Sequence, residues 1–267
     1  MWTYDLYQTT GKEDLKQVVE NALHQECDLF VVCGGDGTVS GVIDGLAKTE
    51  LPLAILPSGT ANVFATALGI PKNTREAFDL IFSDHKIRKV DAIQYQNRFY
   101  ILEISLGVSA QSIGAISRRE KQKMGWLPYI WKGIQKMTGI EPIWFECEID
   151  GHQHHFKAAE VALFNTSQIG VINENLDADV KLDDGVLDFY AIRSKTLWDL
   201  VRMLYFRLIG KPRYAPHLNY WQVSKQVTIS TSHPIKFQAD GDLQGKTPAI
   251  FSVAEQVVNI IVPNTEK

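Results

Sequence analysis

The stretch Asp28-Leu29-Phe30-Val31-Val32-Cys33-Gly34-Gly35-Asp36-Gly37-Thr38-Val39-Ser40 decides the fold. Behind one acid it is a continuous apolar run, which fits a strand buried on both faces of a parallel sheet. The run stops in glycines, and a helical pattern follows from Val39 to Leu46. The same unit recurs downstream. Leu53 to Leu56 is a short strand, Pro57-Ser58-Gly59-Thr60 ends it, and helical stretches follow at 62–68 and 74–82. Upstream, Leu15, Val18, Val19, Ala22 and Leu23 share one stripe of a helix over 13–25. Alternating strand, loop and helix predicts a parallel α/β sheet.

The pattern changes near residue 89. Beyond it the segments are rich in Val and Ile, alternate in polarity and are joined by turns: 99–106, 144–149, 154–164, 186–193, 221–229, 235–239 and 257–262. Asp150-Gly151 is a hairpin signal between two of them. The fold class predicted is α/β: a parallel nucleotide-binding domain over 1–90, then an antiparallel β-sandwich domain over 91–267. Helical insertions are expected at about 115–138 and 196–210.

Composition narrows the function. The chain has 267 residues, 45% of them hydrophobic and 22% charged, as a globular protein does. Net charge is −4, against the basic excess of a nucleic-acid binder. Three cysteines in no CxxC pair argue against a disulfide framework or a zinc ribbon. No apolar run reaches membrane-spanning length, and Met1 to Asp5 does not read as a signal peptide. A cytoplasmic location is expected.

Gly34 to Thr38 sits where a buried strand becomes a helix. Backbone N–H groups and the helix dipole gather there to hold phosphate, and glycines let the anion approach. Asp36 is the unusual member. A carboxylate beside phosphate is repelled unless it holds Mg²⁺, so the pattern reads as nucleotide plus metal. One such turn could merely cap a helix. A second strand end at Pro57–Asn62 makes a crevice at the carboxyl edge of the sheet. The sequence lacks GxxxxGK[ST], GxGxxG and GxSxG.

Four segments in order carry a resemblance: Gly34-Gly35-Asp36-Gly37-Thr38-Val39, Pro57-Ser58-Gly59-Thr60-Ala61-Asn62-Val63-Phe64-Ala65, Asp183-Asp184-Gly185-Val186-Leu187-Asp188, and Asp240-Gly241-Asp242 with Thr247-Pro248. Together they resemble the diacylglycerol kinase catalytic family and its bacterial soluble lipid kinases. The resemblance implies ATP held by Thr9, Gly34, Gly35, Asp36, Gly37, Thr38, Val39, Ser40, Gly59, Thr60 and Asn62. It implies a structural Mg²⁺ site from the Asp184 carboxylate and the carbonyls of Lys181 and Val186. Catalysis would fall to Asp240, Asp242 and Asp36, with the base left open between Asp240 and Asp242, since the family usually has Glu at the latter. The Asp-Gly pair is also a common type I′ hairpin signal. The family's first strand and its Asn-Pro-x-x-Gly loop would precede Met1, so a nucleotide domain lacking that strand is expected.

The acceptor implied is diacylglycerol or a related lipid alcohol. Residues 118–136 carry six basic groups (Arg118, Arg119, Lys121, Lys123, Lys132, Lys136) interleaved with Trp126, Tyr129 and Trp131. Residues 193–214 repeat the theme with Arg193, Lys195, Arg202, Arg207, Lys211 and Arg213. Such helices suit anionic headgroups, which predicts peripheral contact with an anionic membrane. Alternatives are a sphingoid-base or NAD kinase-like enzyme, or a non-catalytic lipid- or nucleotide-binding protein; a homo-oligomer stays open. His152, His154 and His155 lack a third ligand pattern and read as an exposed hairpin. Asp91 and Glu103 read as structural acids.

Overall fold

The computed structural model describes residues 3–107, 110, 142–165, 181–193 and 217–264. The expected helical insertions, and with them the basic-aromatic segments apart from Arg193, lie outside these residues.

The first lobe is built as the periodicity predicts. Helix α1 (Leu15–Ala22) is capped by the Asp14 side chain on the Lys16 N–H, and strand β1 (Phe30–Gly34) follows. Helix α2 (Asp36–Leu46) starts on Gly35, and β2 (Pro52–Pro57) pairs parallel with β1 in register Phe30↔Leu53. Two short helices, α3 (Val63–Ala67) and α4 (Thr74–Leu80), complete the repeat. Strand β1 departs from the expected burial on both faces: it ends the sheet, so alternate residues on it, Val31 and Cys33, are exposed.

The remaining strands are β3 (His85–Tyr95), β4 (Arg98–Tyr100), β5 (Glu103–Gly107), β6 (Ile143–Ile149), β7 (His152–Ala158), β8 (Glu160–Phe164) and β9 (Leu187–Ile192). After them come β10 (Leu218–Val223), β11 (Gln226–Thr231), β12 (Lys236–Ala239), β13 (Asp242–Lys246) and β14 (Ala249–Pro263). They form two sheets. One runs β1-β2-β14-β11-β6-β7, with β3 and β4 branching from β14; the other runs β10-β9-β8-β5-β12-β13. The antiparallel parts face each other over a core that includes Phe145, Phe189, Phe237 and Phe251, each fully buried. The class is α/β, a parallel unit followed by an antiparallel sandwich.

Three predicted strands divide. The 99–106 segment breaks at Ile101-Leu102, whose N–H groups leave the ladder for the Asp240 carboxylate. The 154–164 segment becomes β7 and β8, which belong to different sheets, and 221–229 divides likewise into β10 and β11. Strand β14 joins the lobes. Its start pairs with β11, and Asn259 and Ile260 pair parallel with β2. Val258, Ile260 and Val262 thus pack into the first lobe's core beside Val32, Ile55 and Phe64.

Candidate active site

The two glycine turns touch. A Cβ on Gly59 would sit 2.5 Å from the Gly35 Cα, so only glycine fits there. The Ser58 N–H donates to the Gly34 carbonyl at 3.0 Å, fixing the second turn against the first. Asn62, in the left-handed region at φ 48°, clasps its own loop. Its Oδ1 accepts from the Gly59 N–H and its Nδ2 donates to the Gly59 carbonyl. Gly37 stands exposed at the start of α2 with nothing within 4 Å of a Cβ position. Exposed Thr60 flanks the crossing. The result is an open cradle of backbone over a helix N-terminus, which fits a polyphosphate.

Asp36 lies in the first turn of α2, and one oxygen accepts from the Phe64 N–H of α3 at 3.1 Å. Its carboxylate bridges the two turns. Val39 and Ser40 are buried, and the Val39 side chain packs in the first lobe's core. The Ser40 hydroxyl instead donates to Asp240 Oδ2 at 2.5 Å. Thr9 lies exposed in the irregular segment ahead of α1.

Asp240 and Gly241 form the β12–β13 turn with φ 45° and 89°, the double left-handed pair of a type I′ hairpin. The Asp240 carboxylate turns back under the hairpin. Oδ2 accepts from Ser40 and the Ile101 N–H, and Oδ1 from the N–H groups of Leu102 and Glu103, at 2.9 to 3.0 Å for the backbone donors. Burial pushes its pKa up, against the pull of those donors. A carboxylate has about four lone-pair positions, and all are taken. Asp242 opens β13 and is exposed.

Sequence reasoning missed the support beneath the turn. Gln238 donates to Glu103 Oε1 and to the Ser105 hydroxyl, and accepts from the Gly241 N–H at 2.7 Å. The Glu103 carboxyl is pushed up by burial and by nearby Asp240, while the Gln238 bond pulls it down. Nothing local in the sequence marks Gln238, since Glu103 and Ser105 come from another strand.

The loop 181–186 is anchored from below by Asp91. This fully buried acid accepts from the Gly185 and Gln256 N–H groups, and its own N–H donates to the Leu182 carbonyl. Asp183 is tied to Arg88 by two bonds, at 2.8 and 2.9 Å, leaving Asp184 as the acid on the loop surface. Asp184 accepts from the Val186 N–H, and its pKa is raised by burial, with Asp91 and Asp183 adding repulsion. A hard cation would neutralise that repulsion, and one carboxylate with loop carbonyls is a suitable oxygen donor set. Among the described residues no three His, Cys, Asp or Glu side chains converge as a metal site.

An open backbone cradle on one lobe, bonded to an acidic hairpin on the other, has the parts that phosphoryl transfer needs. Comparisons with known proteins state which kind. Residues 1–95 match the diacylglycerol kinase catalytic domain, and residues 103–262 match the YegS C-terminal NAD kinase beta sandwich-like domain. The chain belongs to the diacylglycerol kinase catalytic-domain family and is a lipid kinase. It is 29% identical over 260 residues to proteins named diacylglycerol kinase from Staphylococcus aureus strains JH9 and Newman, covering 97% of this chain and 82% of each relative. A crystal structure of a diacylglycerol kinase from Bacillus anthracis superimposes with a TM-score of 0.78 at 25% identity, over 97% of this chain and 84% of that one. Among the described residues, no helix is long and apolar enough to cross a membrane.

Proposed function

We propose that the protein transfers the γ-phosphoryl group of ATP, with Mg²⁺, to a hydroxyl of diacylglycerol or a related lipid alcohol at a membrane surface. In this reading residues 1–90 hold the nucleotide, 91–267 hold the acceptor, and the end of β14 completes the first lobe. The observation that carries it is the Ser40–Asp240 bond. It joins the helix that follows the glycine cradle to the acidic hairpin, so nucleotide and acceptor share one place.

Gly34, Gly35, Gly37, Thr38, Gly59, Thr60 and Asn62 would hold the phosphates, largely through backbone N–H groups. Val39 and Ser40 would act through the backbone and through the hairpin bond, since their side chains point elsewhere. Asp36 would hold the catalytic Mg²⁺, which supplies charge neutralisation for the transferring group. Lys181, Asp184 and Val186 would hold a second, structural ion. Asp240 is saturated by four donors, so the base role passes to exposed Asp242. It would take the acceptor hydroxyl's proton as that oxygen bonds to the γ-phosphorus and ADP leaves. The acid is one methylene shorter than Glu and opens the strand that follows the hairpin turn.

Labelled ATP with detergent-dispersed diacylglycerol tests the reading. Asp36→Ala and Asp242→Asn are each expected to lose at least about 100-fold in turnover, Asp242→Asn with the wild-type melting curve and Asp36→Ala still folded but with a lower melting point, since the Phe64 N–H loses its acceptor. Unchanged turnover in Asp36→Ala rejects the site. Loss in Asp240→Asn alone, with Asp242→Asn active, returns the base role to Asp240.

A further inference from the structure

The Ser40–Asp240 bond has a companion further along the cradle helix. Asp36, Ser40 and Asp44 recur at four-residue spacing on α2 and so share one face. Each reaches off the helix: Asp36 to the Phe64 N–H, Ser40 to Asp240, and Asp44 to strand β4. Asp44 is 6% exposed. Its Oδ1 accepts from the Phe99 N–H at 2.8 Å and its Oδ2 from Arg98 Nη1 at 2.9 Å.

Charge from two elements meets this acid. Arg98 also bonds Asp14, the cap of α1. Lys16 of α1 lies 3.4 Å from Asp44 Oδ1 and donates to the Asn97 carbonyl. Helix α1 comes that close because α2 is bare where the two meet: a Cβ on Gly45 would stand 2.6 Å from the Val19 Cβ. Exposure ranks the two arms of Arg98. The Asp14 side chain is 42% exposed, so solvent screens that pair, whereas the Asp44 carboxylate is desolvated.

The geometry is a two-point attachment. Residues 98–103 run between the lobes, with Tyr100 in the sandwich core and Ile101 in the first lobe's core. Asp44 holds the Arg98–Phe99 end. Ser40, through Asp240, holds the three N–H groups of Ile101, Leu102 and Glu103. One helical turn from Ser40 to Asp44 rises about 6 Å, and two extended residues from Phe99 to Ile101 span about 6.6 Å, so the contacts stay in step. One bond alone would fix a distance and leave the tilt of α2 free; two fix both. We propose that Asp44 and Arg98 are positioning residues, which set the tilt of the cradle helix against residues 98–103 and so the place of the acidic hairpin relative to the cradle. Their part in turnover rests on the kinase reading above; the two-point attachment does not.

Three full-length variants test this. Arg98→Met keeps the apolar stem and removes both ion pairs. Asp44→Asn keeps an acceptor for the Phe99 N–H and removes the charge. Asp14→Asn, which still caps α1, weakens only the exposed arm. Each is assayed below its melting point with saturating MgATP and detergent-dispersed diacylglycerol. Arg98→Met and Asp44→Asn are expected to lose about tenfold or more in kcat while the Kd for MgATP moves by less than about twofold, because the glycine turns of the cradle are untouched. Asp14→Asn should stay within about twofold of wild type in both. Amide hydrogen exchange reads the attachment without catalysis. The N–H groups of residues 101–103, which none of these substitutions alters, should exchange about tenfold faster or more in Arg98→Met and Asp44→Asn, and at the wild-type rate in Asp14→Asn. Unchanged kcat, an equal loss in Asp14→Asn, a kcat loss matched by weaker MgATP binding, or unchanged exchange at 101–103 each overturns the proposal. A wild type that transfers no phosphoryl group, with exchange still faster in the two variants, rejects the kinase reading and keeps the attachment.

Discussion

Two hairpins in this protein carry the same dipeptide. Asp150-Gly151 joins β6 to β7 with φ 48° and 88°, and Asp240-Gly241 joins β12 to β13 with φ 45° and 89°. The likeness goes further. Asp150 accepts from the N–H groups of Ser224, Lys225 and Gln226 and from the Ser224 hydroxyl. Asp240 accepts from the N–H groups of Ile101, Leu102 and Glu103 and from the Ser40 hydroxyl. Each carboxylate holds three consecutive backbone donors and one serine. The first staples one sheet edge to a neighbouring turn in solvent; the second staples one lobe to the other beneath the candidate site. Identical local chemistry becomes structural or functional by what lies across from it.

The sharpest way to break the comparison is to delete each acid. Asp240→Ala strands buried donors that cannot all reach water, and its loss should exceed about 3 kcal/mol. It should also abolish turnover, because the hairpin carrying Asp242 loses its anchor. Asp150→Ala opens its donors to solvent and should cost only about 1 kcal/mol, with turnover intact. Urea unfolding and phosphoryl transfer on both variants measure this; equal costs would sink the distinction. The serines give a smaller version. Ser40→Ala should cost about 1–2 kcal/mol and lower turnover, whereas Ser224→Ala should change stability by less than about 1 kcal/mol and leave turnover unchanged.

Both hairpins were legible as turns, since Asp-Gly between apolar strands has few other uses. The glycine cradle was legible too, because an apolar run that stops in glycines and resumes as a helix has one common geometry. What the sequence concealed is long-range. Ser40 reads as a neighbour of the glycines, yet its partner lies 200 positions away. Residues 99–106 read as one strand, and only the Asp240 carboxylate, over 130 residues on, breaks it at Ile101-Leu102. No turn signal in the sequence marks where the chain leaves one sheet for the other, as β7 to β8 and β10 to β11 do.

The finest contrast between the two acids is in pH. Burial pushes Asp150 up, but its donors outweigh burial and hold the carboxyl below its ordinary value. Its stabilisation is present above the unfolded-state value near about 4 and is lost as pH falls through the folded one. The deficit of Asp150→Asn should therefore shrink on acidification. For Asp240 burial wins and the carboxyl is raised. The folded state then takes up its proton before the unfolded state does, so this group stabilises the fold as pH falls from neutrality towards about 4. The deficit of Asp240→Asn should grow over that interval. Unfolding free energies of wild type and both variants across this range would show opposite slopes. Parallel slopes would mean that four donors outweigh burial at Asp240 as well, and that the two staples differ in what they join but not in their electrostatics.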